Sequence, residues 1–337
     1  MNNQIQALNY CAHAIEHLKL DVKAMRTKIP ASAQVILNLI EMLQSSIKFI
    51  LPNGCNLIDP QDLRQSHLDL LKLPYPLIAL EAPWELEIDD QIKEIPTSPA
   101  TKRIALCWDA EQNILEPIPG LNKSVLNKFP QGGVFVVPIY WSPNFKHWST
   151  AMGGSFIPYN NEMGDLSSEQ NLNQASKIAV EALAQSGRTS SRPKAFRAEP
   201  FALLPEIFEK CVTSLGKEQA YSQIILDAHD EASMLIQTCA VLNCSNITTV
   251  DIEAPKFLNK KRSEKSKQPF FSYKVLELCE EKSQQASGMG GGTHASPRMH
   301  LRRGHLRRLE NKTIWVKPAM VNANVTHGIV VKDYAIS

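Results

Sequence analysis

The chain has 337 residues, 43% hydrophobic and 21% charged, with a formal net charge of +2. That length can bury a sizeable core and suggests two domains, and the composition is that of an ordinary soluble globular protein. Apolar runs such as GVFVVPIYW fall far short of the ~20 residues of a membrane-spanning helix, and the N-terminus has no basic region leading into an apolar one, so neither a span nor a secretory signal is expected.

The first segment places Ile5, Leu8, Cys11, Ile15, Leu18, Val22 and Met25 on one helical stripe. Pro30 interrupts it, and QVILNLIEMLQSSI resumes as a second helix carrying Val35, Ile36, Leu39, Ile40, Leu43 and Ile47. A helical hairpin is expected, closed by the turn-rich LPNGCNLIDP. Strands are expected from about Leu77 to Glu81, over KRIALCWD, over GVFVVPIYW and over HWSTAMGGSFIPY, with EMGDLSSEQNLNQ as a polar loop and ASKIAVEALAQ as a helix. SGRTSSRPKAFRAEP reads as an exposed linker. Two helices are expected from Phe201 to Leu242, split near Gly216, the second with a stripe from Tyr221 through Ile224, Ile225, Ala228, Ala232, Leu235 and Ile236 to Cys239. ITTVDIEAP is a short strand, KFLNKKRSEKSKQP a basic loop, FFSYKVLEL a strand and EEKSQQASGMGGGTHASP a loop. The end of the chain reads as a β-hairpin or meander.

Strands and helices in separate runs imply an α+β fold: an N-terminal helical hairpin, a mixed, mainly antiparallel sheet with helices, and a C-terminal β-hairpin or meander. The expected segments are 1–52 for the helical hairpin, 53–190 for a β-rich α+β region, and 191–337 for a helical pair plus a basic C-terminal β module.

The charge is uneven. Lys256 to Lys317 holds fifteen Lys and Arg against five Asp and Glu, a local +10, so the remainder carries −8. Such asymmetry suggests an anionic partner; the alternative is that the basic third docks on the acidic body. The seven cysteines, Cys11, Cys55, Cys107, Cys211, Cys239, Cys244 and Cys279, are odd in number and lack zinc-knuckle spacing, which suits reduced thiols in a cytoplasm.

The densest chemistry is in SPRMHLRRGHLRRLENKTIWVKPAMVNA, which begins at Ser296. Seven Arg or His fall between Arg298 and Arg308, with no Lys until Lys312. A β-bulge at Gly304 would put Leu301 and Leu306 on a core face and His300, Arg302, His305 and Arg307 on the other, with Arg298, Arg303 and Arg308 at the edge. Trp315 on the returning strand is available for packing or stacking. Arginine forks match phosphate oxygens and histidine adds a titratable donor, so the plate suits an RNA or DNA backbone or an acidic protein segment. Lys260, Lys261 and Arg262 of the upstream basic segment are further binding candidates. Two alternatives stand beside binding. His300 and His305 could be the acid–base pair of a metal-independent ribonuclease, with Arg302 or Arg303 stabilising the phosphorane. Or the cluster is internal scaffolding, a His–Arg network that pins the sheet.

Other motifs carry less. His294, His300 and His305 lack an adjacent Cys or carboxylate cluster, so no metal or other cofactor is expected. GMGGGTH lacks the Gly-Lys-Ser/Thr ending of a phosphate loop. His229, between Asp227 and Asp230, reads as a solvated helix face, and His147 beside Ser149 is given no chemistry.

The C-terminal stretch, with GIVVKDY after it, resembles the C-terminal module of a broad family of phage and plasmid proteins, in which a proline and then His-x-Arg-Arg-Gly-His precede a strand with a tryptophan. LKLPYPLIALEAPW, PKFLNKKR and PFFSYKVLEL resemble that family's other blocks, so the likeness covers roughly residues 70 to 337. One branch contains anti-CRISPR proteins that lower production of the type V-A effector nuclease at the level of its messenger. After His305 this chain departs from that branch, with Leu306, Arg307 and Arg308 where aromatic residues stand. The resemblance implies a regulator encoded by a mobile element and evading host defence in the bacterial cytoplasm. Its implied partner is RNA, a translating ribonucleoprotein or the nascent N-terminal segment of a CRISPR effector, and no membrane. The family positions carried over are His300, Arg302, Arg303, Gly304, His305 and Trp315.

Overall fold

The computed structural model describes residues 6–58, 63–85, 100–165, 174–185, 194–278, 300–302, 305–309, 312–316 and 319–321. The fold is α+β. The chain opens with α1 (Tyr10–Met25) and α2 (Pro30–Ser45), the expected hairpin, with Pro30 starting the second helix, where its missing N–H costs nothing. Ile47 does not extend α2. The helix stops at Ser45 and Ile47 begins β1 (Ile47–Ile50), because IKFI continues an apolar run that serves a central strand as well as a helix stripe.

A short α3 (Gln65–Leu68) precedes β2 (Leu77–Pro83) and β3 (Lys102–Asp109). Then come α4 (Leu121–Leu126), β4 (Gly133–Ser142), β5 (His147–Thr150) and β6 (Gly153–Pro158). HWSTAMGGSFIPY is thus two strands rather than one; β5 pairs with the end of β4 and β6 with its start. β7 (Gly164–Asp165), α5 (Gln174–Gln185), β8 (Lys194–Ala195) and β9 (Glu199–Ala202) follow. The stretch expected to be a linker therefore contributes β8 and the start of β9, and its residues 186–193 lie outside the described set.

Three helices, not two, fill 205–242: α6 (Pro205–Leu215), α7 (Lys217–Asp227) and α8 (His229–Leu242). The stripe from Tyr221 to Cys239 is divided at Ala228, where the new helix starts with Asp230 and Glu231 in its first turn, the end of a helix dipole that favours acids. After β10 (Ile247–Ile252), the segment expected to be a basic loop is α9 (Lys256–Glu264), followed by β11 (Tyr273–Leu278). The chain ends in β12 (His300–Arg302), β13 (His305–Arg308), β14 (Thr313–Val316) and β15 (Ala319–Val321).

The main sheet runs β10-β11-β1-β2-β3-β4-β6-β9, with β5 on β4. It is mixed: β1 is parallel to β2 and β11, and every other pair is antiparallel. Strands from all three sequence segments share this one sheet. Alternating residues build a core on each face. Ile104, Leu106, Trp108, Phe135, Val137 and Ile139 face α1 and α2. Ala105, Cys107, Val134 and Val136 face α8 and the C-terminal hairpin, which contributes Trp315 and Leu306. At Gly153 the sheet lets α7 come close: a Cβ there would lie 2.5 Å from Ile224 Cδ1 and from the Phe201 carbonyl.

Neither hairpin helix has a local side-chain cap. A distant carboxylate meets each one instead. Glu81 of β2 accepts the Tyr10 and Cys11 amides at 2.9 and 2.8 Å and the Tyr273 hydroxyl at 2.9 Å. Glu206 of α6 accepts the Ala31 and Ser32 amides, both at 2.9 Å, and the Ser32 hydroxyl. Free amides and the positive end of the helix dipole stabilise both carboxylates, and each link ties a helix to an element far away in sequence.

Candidate functional site

The C-terminal module divides into two ladders. His300, Leu301 and Arg302 pair with Val321, Met320 and Ala319, while β13 and β14 pair His305 with Val316 and Leu306 with Trp315. The expected alternation is present where side chains are described: Leu306 packs on the core and Arg307 is exposed. Arg298, Arg303 and Gly304 lie outside the described residues, as do His294 and GMGGGTH and the side chains of His300, Arg302, His305 and Arg308.

Trp315 packs rather than presenting its ring. It is 6% exposed in the core under α8, and its backbone N–H and carbonyl are both held by the Asn246 side chain, at 2.8 and 2.7 Å. The Ser245 amide adds 3.1 Å to the Thr313 carbonyl, so the loop after α8 holds β14 almost as a neighbouring strand would.

The basic segment 256–267 is a built surface. Pro255 precedes the first turn, Lys261 and Arg262 stand in the last turn where cations suit the dipole, and Ser266 with φ 53° turns the chain away. The Asn259 side chain bonds both the carbonyl and the amide of Phe270, at 2.8 and 2.7 Å, which staples α9 to the returning strand. The sequence signal was weak, because only Phe257 and Leu258 are apolar in this helix and neither docks it. They are 69% and 48% exposed. Lys256, Lys260, Lys261, Lys265 and Lys267 are exposed around them, and the Lys261 ammonium lies 4.3 Å from the Phe257 ring centre.

Arg262 is not part of the open surface. Its Nη2 meets Glu16 at 2.6 Å, its Nε donates to the Gln268 carbonyl at 2.7 Å, and its guanidinium lies 4.0 Å from the Phe270 ring centre. Here the basic third does dock on the body. That contact also fixes where α9 sits: on the α1 side of the sheet, whereas β13 and β14 are on the α8 side. Lys260 and Lys261 and the Arg307 strand therefore belong to opposite faces.

Two polar clusters were not foreseen from the sequence. On α1, His17 and Asp21 meet His147 of β5: His17 Nδ1 lies 2.9 Å from His147 Nδ1, and His147 Nε2 lies 2.9 Å from Asp21. The Trp148 amide also points at His17 Nδ1, at 3.4 Å. Burial and then His147 hold the His17 pKa below the ordinary histidine value. Spacing along α1 could have flagged His13, His17 and Asp21 on one face, but only the fold brings His147 to them.

The second cluster corrects the solvated-face reading of DAHDEAS. Asp230 and Glu231 grip Arg103 of β3, at 2.7 and 2.8 Å, beside Trp84, whose ring centre is 5.0 Å from the guanidinium. Glu231 is fully buried, and among the described residues neither its Oε2 nor Arg103 Nε has a hydrogen-bond partner. Burial pushes Glu231 up to about 7 against the pull of Arg103.

Among the described residues no group of three or more His, Cys, Asp or Glu could hold a metal ion, and no helix is long and apolar enough to cross a membrane. No family model, curated protein or solved structure matches this chain.

Proposed function

We propose that the protein binds RNA through its basic C-terminal third, and that α9 supplies the principal contact. One observation carries this reading: a helix stapled firmly to the body exposes Lys256, Lys260 and Lys261, the turn after it exposes Lys265 and Lys267, and Glu264 is the one acid from 256 to 267. Neutralising phosphates with such side chains releases counterions and gives affinity without sequence readout. The exposed Arg307 of β13 supports a second, separate contact for the same kind of partner. The likeness of the C-terminal module to that of phage and plasmid proteins supplies the setting that we propose: a mobile-element regulator that lowers production of a CRISPR effector nuclease by engaging its messenger or the complex translating it.

The test is RNA binding by the full chain at about 50 and about 200 mM salt. Lys260→Glu/Lys261→Glu is expected to weaken binding and to flatten the dependence of log K on log salt by about 1.4, two phosphate contacts at the single-strand coefficient. A wild-type protein that binds no RNA at low salt, or a charge-reversed variant that binds as well as wild type, would sink the reading.

A further inference from the structure

We infer that the partner of α9 is a single-stranded stretch of RNA whose bases stack on Phe257. This rests on the reading above and goes beyond it, because phosphate contacts alone have no use for an aromatic ring.

Two polar side chains hold α9 in place. Arg262 and Asn259 make its contacts to α1 and to the chain returning into β11. Phe257 and Leu258 make no contribution of that kind and face solvent. A single exposed apolar residue is ordinary. Here two adjacent ones, one of them a phenylalanine with over two thirds of its surface open, sit in the first turn of a helix otherwise devoted to cations. Lys261, one turn on, already places its ammonium against the ring at 4.3 Å. A flat apolar ring with an ammonium group against it and further exposed lysines on the same segment matches one kind of anionic polymer, that in which phosphates alternate with exposed aromatic faces.

In a duplex the base faces are consumed by stacking on each other, so a paired strand would present phosphates to the lysines and nothing to the phenylalanine. An anionic bilayer fits less well. Interfacial helices bury a broad apolar face, and this nine-residue helix has two apolar side chains. The staple from Asn259 to Phe270 adds preorganisation, since the ring and the lysines are held on a fixed helix before any partner arrives.

The experiment uses the full chain, a labelled single-stranded RNA of about a dozen nucleotides, and the same strand annealed to its complement. The variants are Phe257→Ser and Lys260→Glu/Lys261→Glu. Wild type is expected to prefer the single strand. Phe257→Ser is expected to lose about tenfold on the single strand, with an unchanged salt dependence and unchanged duplex binding. Three results would each overturn the inference: duplex bound as tightly as single strand, a Phe257→Ser variant with undiminished single-strand affinity, or a lowered melting temperature that shows Phe257 packs in the fold. Vesicles of phosphatidylglycerol and phosphatidylcholine form a further arm, in which binding that depends on Phe257 would assign the surface to lipid instead. If neither RNA binds, the proposed function itself fails; if RNA binds without regard to strandedness or Phe257, only this inference does.

Discussion

At the scale of single residues, the polar groups buried against the sheet set the pH response. Glu231 is an acid whose folded pKa is raised, to about 7 from an ordinary 4.5, mainly by burial. The folded protein holds that proton more tightly than the unfolded chain, so this group's contribution to stability is full below about 4.5 and is lost as pH rises through about 7. Glu231→Gln keeps an oxygen for Arg103 and removes the titration. The stability advantage of wild type over this variant is expected to shrink between pH 5 and pH 8, which thermal melts of both proteins across that range will read. His17 works with the opposite sign. Its folded pKa is lowered, by burial first and the neighbouring His147 second, so its contribution is present above the ordinary 6.5 and is lost as pH falls through the folded value. His17→Asn should flatten the acid side of the melting curve. An unchanged acid slope in that variant would show that the His17–His147 contact does not contribute there.

At the scale of elements, the two hairpin helices are a matched pair with unequal caps. Glu81 is fully buried, and burial raises its pKa even against the amides and the tyrosine hydroxyl that favour its charge. In Glu81→Gln one helix amide would face an amide nitrogen in a dry site, a loss of roughly 1–3 kcal/mol. Glu206 lies in a wetter place, and Glu206→Gln should cost less than about 1 kcal/mol. Denaturant unfolding of the two variants checks the order, and faster amide exchange at Tyr10 and Cys11 in Glu81→Gln checks the cause. Neither cap was readable in advance, because each carboxylate reaches its helix from far along the chain. β3 and β4, by contrast, were legible almost to the residue, since each is an uninterrupted apolar run bounded by turn residues, β-branched in β4. The misread helices follow one rule. An apolar stripe that continues through a break hides the break, as at Ser45 and Ala228, and a helix held by polar staples, as α9 is, leaves no stripe to see. The same rule explains why Lys260 and Lys261 were legible as a charge surplus while Phe257 was not legible as a site.

At the scale of the whole molecule, the two basic features are separated by the sheet that joins them. α9 rests on the α1 layer through Arg262 and Glu16, and β13 and β14 rest on the α8 layer through Leu306 and Trp315. The sheet itself therefore lies between these two surfaces. A strand short enough to be covered by α9 cannot reach Arg307, whereas a long one can pass round the edge of the sheet and touch both. Reversing Arg307 to Glu should therefore leave the affinity for a short oligonucleotide unchanged and weaken binding of a long transcript, with the salt slope of the long complex falling by about 0.7, the coefficient for one lost single-strand contact. Lys260→Glu/Lys261→Glu should weaken both. Binding of short and long RNAs by these variants, measured over a salt series, decides the matter. Equal sensitivity of the short strand to both variants would place the two surfaces on one continuous path, and an Arg307→Glu variant with no effect on the long transcript would reduce the RNA-binding face to α9 alone.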